Sequence, residues 1–288
     1  MMDRHELSNG TLSAVIKADG AELCSLRGAT GAEMLWQAGP AWPRHAPVLF
    51  PIVGRLKDDR LRHKGQLYHL PQHGFARDRR FAWLSRNATA CRLVLHEDAG
   101  TRAVYPFAFR LEVAFTLDGD TLEAAFTVTN PGSEALPASI GAHPGFVWPL
   151  AEGVDKSAHV LEFAETEAAP VNRLDQGLLK LTSEPSPIKG RTLALDPALF
   201  SADALILTQP ASKSVRYTAP GTSVIEVAWE GFEQLGIWSR DGGDFVCIEP
   251  WHGTASPTDF DGEFCDKPGL MLIPPGERRT LSMRIRPC

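Results

Sequence analysis

Along most of the chain, apolar residues alternate with polar ones, and Gly, Pro, Asn or Asp cut the runs short. Successive side chains of a strand point to opposite faces, so a period of two predicts half-buried β-strands. The clearest case is RLEVAFTLDGDTLEAAFTVTN, residues 110–130, where two alternating segments flank an Asp118-Gly119 turn, a strong hairpin signal. Further strands are expected at 12–17, 93–97, 223–229, 234–239 and 280–285. Helix is expected to be minor, with one short segment at 196–202. Residues 151–190 mix Pro, Glu, Asp and Lys and read as irregular loops with interspersed edge strands. Nothing there marks a domain boundary, and no repeat with a period of about 20–50 residues is visible. The pattern predicts one large, mainly antiparallel all-β sandwich over residues 1–288.

Composition narrows the class of protein. The chain has 288 residues, 43% apolar and 22% charged, values of an ordinary folded globular protein. A formal net charge of -6, with both signs interspersed, makes no field that would draw nucleic acid or an anionic membrane. Small-molecule partners are expected instead; oligomeric state is not readable from the pattern. No run reaches the ~20 apolar residues of a membrane span. The polar MMDRHELSNG start predicts neither a secretory signal nor a transit peptide. Five scattered cysteines with no Cys-x-x-Cys pair suit a reducing, cytoplasmic setting.

Spacing tests exclude several chemistries. Neither G-x-G-x-x-G nor G-x-x-x-x-G-K-[ST] is present, so no nucleotide cofactor is expected. Gly100 stands where a second zinc-ligand histidine would follow His96-Glu97, and GAHPG carries His143 where a nucleophile elbow needs serine. His69 and His73 have ligand-like spacing, but Pro71 between them opposes the helix that would aim both rings at one ion. No metal and no cofactor are expected.

Three clusters carry polar groups suited to chemistry, read as loops on a rigid scaffold. The first, PVLFPIVGR with LPQHGFARD, offers Arg55, His73 and Arg77; the second, SIGAHPGFVW, offers His143. The third runs from GIWSRDGGDFVCIEPWHG to LIPPGE and offers Trp238, Glu249, Trp251 and Glu277. Taken singly, each residue has a plain structural alternative: a satisfied histidine, a turn carboxylate, an ion pair or a core tryptophan.

In combination and in this order, FPIVGR, PQHGFARD, GAHPGF, CIEPWHG and PPGE resemble the aldose 1-epimerase (galactose mutarotase) superfamily, in its LacX-like branch. The resemblance runs from about residue 35 to the C-terminus and implies a galactose mutarotase-like β-supersandwich. It also implies interconversion of the α and β anomers of a hexose or hexose phosphate. That reaction needs one group to take the C1 hydroxyl proton and another to protonate the ring oxygen. By resemblance, Glu277 is the base and His143 the acid, roles that suit a carboxylate and an imidazole of ordinary pKa ~6.5. His73 is then a sugar-contacting histidine near the ring oxygen. Asp203 matches a sugar-binding aspartate, with a turn or cap as the alternative. Arg55 and Arg77 offer planar donors to hydroxyls or a phosphate, Trp238 and Trp251 an apolar platform, and Glu249 a further polar contact. Two rivals remain open. One is a non-catalytic carbohydrate-binding protein on the same fold. The other is a glycoside hydrolase using Glu249 and Glu277, which requires their carboxyl groups about 5–9.5 Å apart.

Overall fold

The computed structural model describes residues 3–288; Met1 and Met2, at the head of the polar N-terminal stretch, lie outside the described residues. The alternating pair forms the expected hairpin, Arg110–Asp118 with Thr121–Thr129. Its turn falls one residue later than read from sequence, because Asp118 pairs with Thr121 and the two-residue loop is Gly119-Asp120. Gly119 takes φ 56°, the first-position glycine of a hairpin turn whose twist matches its strands.

This hairpin sits inside a nine-stranded antiparallel sheet. In spatial order its strands are Thr192–Ala194, Val160–Phe163, Ser214–Thr218, Ile225–Glu230, Arg278–Pro287, Thr121–Thr129, Arg110–Asp118, Ala90–His96 and Ala82–Arg86. An eight-stranded sheet runs Leu178–Glu184, Val171–Asp175, Leu205–Leu207, Gln234–Trp238, Phe245–His252, Ile140–Ala142 and Val48–Leu49, with Gly145–Val147 also paired to Phe245–His252. A three-stranded sheet, Arg4–Ser8, Ser13–Lys17 and Glu22–Arg27, and two two-stranded ribbons complete the all-β architecture. Residues 151–190 are more regular than expected: Val160–Phe163 and Val171–Asp175 are interior strands, and only Leu178–Glu184 lies at a sheet edge. Their short, polar-rich runs hid this, since pairing on both sides overrides weak local propensity. The expected helix at 196–202 is a single 3-10 turn, Pro197–Phe200, capped by the Asp196 carboxylate accepting from the Ala198 N–H at 2.8 Å. No helix among the described residues is long and apolar enough to cross a membrane.

Inward residues of both sheets share one apolar cluster, including Leu111, Val113, Phe115, Phe126 and Ile285 from the larger sheet and Leu205, Leu235, Ile237, Val246 and Ile248 from the smaller. Each such side chain contributes about 1.5–3 kcal/mol by leaving water. Strand Phe245–His252 is buried at seven of its eight positions, so both faces are covered. Val246 and Ile248 face the core, while Phe245, Cys247, Glu249 and Trp251 alternate onto the opposite face. Pro250 is tolerated in this interior strand because its partner strand is broken there. Gly141 pairs with Trp251 and Gly145 with Cys247, leaving His143-Pro144 in the gap. The Ile248 N–H already points to that side, towards the Pro144 carbonyl at 3.4 Å, so the N–H that Pro250 lacks would face the gap.

Candidate active site

The outer face of the smaller sheet floors a cavity of about 660 Å³, a size ordinary for small-molecule sites of roughly 300–1,000 Å³. The structure brings His73, Arg77, His143, Asp203, Trp238 and Glu249 to its walls, together with Trp251. It does not bring Glu277 there. That residue is exposed in the turn before Arg278–Pro287, where its carbonyl accepts from the Asn130 N–H and its own N–H donates to Pro274. The PPGE turn follows the ribbon strand Met271–Ile273, and Glu277 is not among the residues that line this cavity with His143 and Glu249. Arg55 is likewise turned away: its Nε lies 2.9 Å from Asp59 Oδ1, and its side chain packs on Gly177 while Gly54 faces the cavity.

Glu249 stands at the centre of the floor rather than on a loop, mid-strand in Phe245–His252 and opposite Gly236. The missing side chain at Gly236 is required, since a Cβ there would lie 2.4 Å from the Trp251 ring. His143 emerges from the gap between Ile140–Ala142 and Gly145–Val147 and places Nε2 3.1 Å from Glu249 Oε2. The two atoms touch without an aligned hydrogen bond. Glu249 Oε2 and His143 Nδ1 are both buried without a partner, as is Trp251 Nε1. Unsatisfied buried polar atoms are rare in folded proteins and gather where a ligand completes them.

Electrostatics at the pair follow from burial. Loss of water pushes the Glu249 carboxyl well above the usual carboxylate range; the Trp251 indole opposes this and the Asp203 charge adds to it. Burial, reinforced by the Arg77 charge, pushes the His143 imidazolium down to about 3. Burial therefore favours a neutral pair holding one proton, on the carboxyl.

The LPQHGFARD segment folds against FPIVGR through reciprocal bonds. The His73 N–H donates to the Gly54 carbonyl at 2.8 Å, and the Gly54 N–H donates to His73 Nδ1 at 3.1 Å. Nδ1 thus accepts, which leaves the proton of the neutral ring on Nε2 as a donor. Burial first, then Arg77 and His143, lower the His73 pKa well below the ordinary value, so it stays neutral. His73 sits at φ 66° and Gly74 at φ 67°, where a Cβ would lie 2.3 Å from the Phe50 carbonyl oxygen; the bend needs a glycine second and holds the histidine in a strained conformation first. Asp203 shares this left-handed geometry at φ 68°, with Oδ1 accepting from the Ala204 N–H at 2.7 Å. Asp203 is thus a turn residue that also lines the cavity wall. Arg77 donates to the Gln72 carbonyl at 2.8 Å, and its buried Nε makes no hydrogen bond but lies 3.7 Å from Asp78 Oδ2.

Sequence reasoning missed Trp42, Gln72, Phe200, Arg240 and Asp241 on the walls. Trp42 matters most: its ring stacks on His143 with centroids 4.9 Å apart, while Trp238 meets His143 edge-on at 5.7 Å. The only signal for it was a tryptophan inside the proline-rich GPAWPRHAP, which reads as a loop.

The antiparallel β-sandwich is of the galactose mutarotase-like class, and its smaller sheet carries the His143–Glu249 contact beneath an aromatic, polar cavity. The chain belongs to the aldose 1-epimerase family, whose profile matches residues 3–283. It is 32% identical over 282 residues to the chromosomal LacX protein of Lactococcus lactis subsp. lactis, covering 94% of each chain, and equally so to the plasmid LacX protein. Among solved structures it is similar to the galactose mutarotase related enzyme of Lactobacillus acidophilus, at 33% identity, a TM-score of 0.93 and coverage of 99% and 97%. A galactose mutarotase-like protein of Lactobacillus casei follows the same fold, at 27% identity, a TM-score of 0.92 and coverage of 99% and 100%.

Proposed function

We propose that the protein is a mutarotase of free aldohexoses in which Glu249, in place of Glu277, works with His143. The observation that carries this reading is the 3.1 Å approach of His143 Nε2 and Glu249 Oε2, both buried at a cavity floor and neither satisfied by the other. Two such groups meet the minimum for ring opening. One protonates the ring oxygen while the other takes the C1 hydroxyl proton; the C1–O5 bond breaks and a C1 carbonyl forms. The pair still holds one proton, now on the other partner. After rotation about C1–C2 the steps reverse, so each group donates once and accepts once per anomer exchanged. This reconciles the acid role that resemblance gives His143 with a resting proton on Glu249.

The neutral His73 is placed to donate from Nε2 to oxygen, and Asp203 to accept from sugar hydroxyls. Trp42, Trp238 and Trp251 supply apolar walls for a sugar face. A free rather than phosphorylated sugar is favoured because the cationic Arg77 and Arg240 are matched on the same walls by Asp203 and Asp241. Polarimetry on freshly dissolved α-D-glucose, α-D-galactose and glucose 6-phosphate tests this. Faster mutarotation of a free hexose is expected. Acceleration confined to the phosphate ester would overturn the substrate assignment. Sugar binding without acceleration of any aldose would establish the binding-protein reading instead.

A further inference from the structure

One neighbour of the pair takes no part in that chemistry. Cys247 lies two residues before Glu249 on the same face of strand Phe245–His252 and is fully buried beneath the cavity. A nitrogen of His143, the sulfur of Cys247 and a carboxylate oxygen of Glu249 all lie within 4.8 Å of one another. We infer that this trio is a binding site for a soft divalent cation of the zinc type, and that the cation, entering from the cavity, inhibits the enzyme by occupying the acid–base pair.

The donor set is the reason. Imidazole, thiolate and carboxylate together are the ligands zinc takes, with bonds of about 2.0–2.3 Å that space tetrahedral ligands roughly 3.5 Å apart. His143 and Glu249 are already at 3.1 Å, so a small turn of the Cys247 side chain closes the set. Glu249 Oε2, the oxygen beside His143 Nε2, is buried without a hydrogen bond, so it surrenders none on binding a cation. A water from the cavity that Glu249 lines supplies the fourth ligand. Burial, then the nearby Glu249 charge, holds the free Cys247 thiol well above its usual pKa, so a bound cation must displace the thiol and carboxyl protons into solvent. A second trio, Glu22, Cys24 and His45, has similar spacing but lacks this character. Its carboxylate is already engaged by Lys17 and by the N–H groups of His45 and Ala46. Hard cations such as Mg²⁺ and Ca²⁺ demand six or more oxygens and are not suited to the His143 trio.

The inhibitory half of this inference rests on the mutarotase reading; the binding half does not, so the two are read separately. In a Cys265→Ser/Cys288→Ser background, which removes the exposed thiols, Co²⁺ is titrated as a spectroscopic probe. A near-ultraviolet thiolate-to-cobalt charge-transfer band is expected, and Zn²⁺ should abolish it by displacement. The band should vanish in both Cys247→Ser and Cys247→Ala, with Co²⁺ affinity falling by roughly 10- to 100-fold or more, the scale lost when even an outer-shell partner is removed. Absence of the band in the parent, or its persistence in either folded variant, overturns the site. In the polarimetric assay Zn²⁺ should inhibit competitively with sugar while Mg²⁺ does not; non-competitive inhibition alongside a normal band would overturn the inhibitory half alone. If no aldose is turned over, the cobalt spectra still decide the site.

Discussion

His143 Nε2 and Glu249 Oε2 meet at 3.1 Å although their residues lie more than a hundred positions apart, because one occupies the gap in a sheet that the other's strand spans. In the proposed mechanism, replacing either removes one half of a proton exchange. Glu249→Gln and His143→Asn should each lower kcat/KM for mutarotation by roughly 10²- to 10⁴-fold, the range of a single general acid or base. Glu277→Gln should leave the rate unchanged. A full rate in Glu249→Gln, or a collapse in Glu277→Gln, would reverse the assignment.

The pH profile follows from burial. In the proposed mechanism the working pair carries one proton, which is lost at high pH as Glu249 ionises and joined by a second at low pH as His143 protonates. Since His143 is pushed down to about 3 and Glu249 well above its ordinary 4.5, the active window extends well below the ordinary imidazole pKa of ~6.5. The acidic limb of kcat/KM should be absent near pH 6.5. A limb centred there would mean that His143 titrates as a solvated histidine.

Gly236 should be intolerant of even one methyl group. A Cβ at 2.4 Å from the Trp251 ring must displace the indole two positions from Glu249, and overpacking of this kind typically costs about 1–3 kcal/mol. Gly236→Ala should melt at a lower temperature and lose activity beyond what its remaining folded fraction explains. Wild-type kinetics in a folded Gly236→Ala would show that the Trp251 position is immaterial.

Glu22 ties the three-stranded sheet to the segment that carries Trp42. Its buried carboxylate accepts from the His45 N–H at 2.7 Å and the Ala46 N–H at 3.1 Å and pairs with Lys17. Burial alone would raise its pKa, but the bonds from His45 and Lys17 prevail and hold it at about 2 against an ordinary 4.5. A carboxylate held below its unfolded value stabilises the fold fully above about pH 4.5, and loses that contribution as pH falls towards 2. The difference corresponds to something on the order of 3 kcal/mol. Glu22→Gln should therefore lower the melting temperature at pH 7 and flatten its decline between pH 5 and 2. An unchanged acid decline would place the acid-sensitive group elsewhere.

How much of this was legible in the sequence depended on how local each signal was. The hairpin of Arg110–Asp118 and Thr121–Thr129 has one half-buried face, so its alternation was plain. Phe245–His252 is covered on both faces and reads as a nearly continuous apolar run, so Glu249 was taken for part of a loop. His73 and Asp203 stood out through their motifs, and both prove to hold left-handed backbone. Glu277 shows the limit. Its PPGE turn was singled out as a motif, yet only the pairing of Leu136–Ala138 with Met271–Ile273 fixes where that turn lies. Trp42 was invisible because it stacks on His143 from an irregular segment held by its N–H bond to the Gly39 carbonyl and the Trp36 indole bond to the Trp42 carbonyl, neither of which leaves a periodic trace.

Strand Phe245–His252 has a consequence for how the protein fails. Val246 and Ile248 fill the space between the sheets while Glu249 and Trp251 floor the cavity, so the Glu249 carboxylate is set by the same strand that knits the core together. A slip of one residue would exchange Glu249 with Ile248 or Pro250 and put a carboxyl into the hydrocarbon interior. The chemistry thus has no loop to fray before the rest. Warming should extinguish catalysis and structure together, and diversification of sugar preference falls to the rim, where Asp203, Arg240 and Asp241 can change without disturbing the strand beneath.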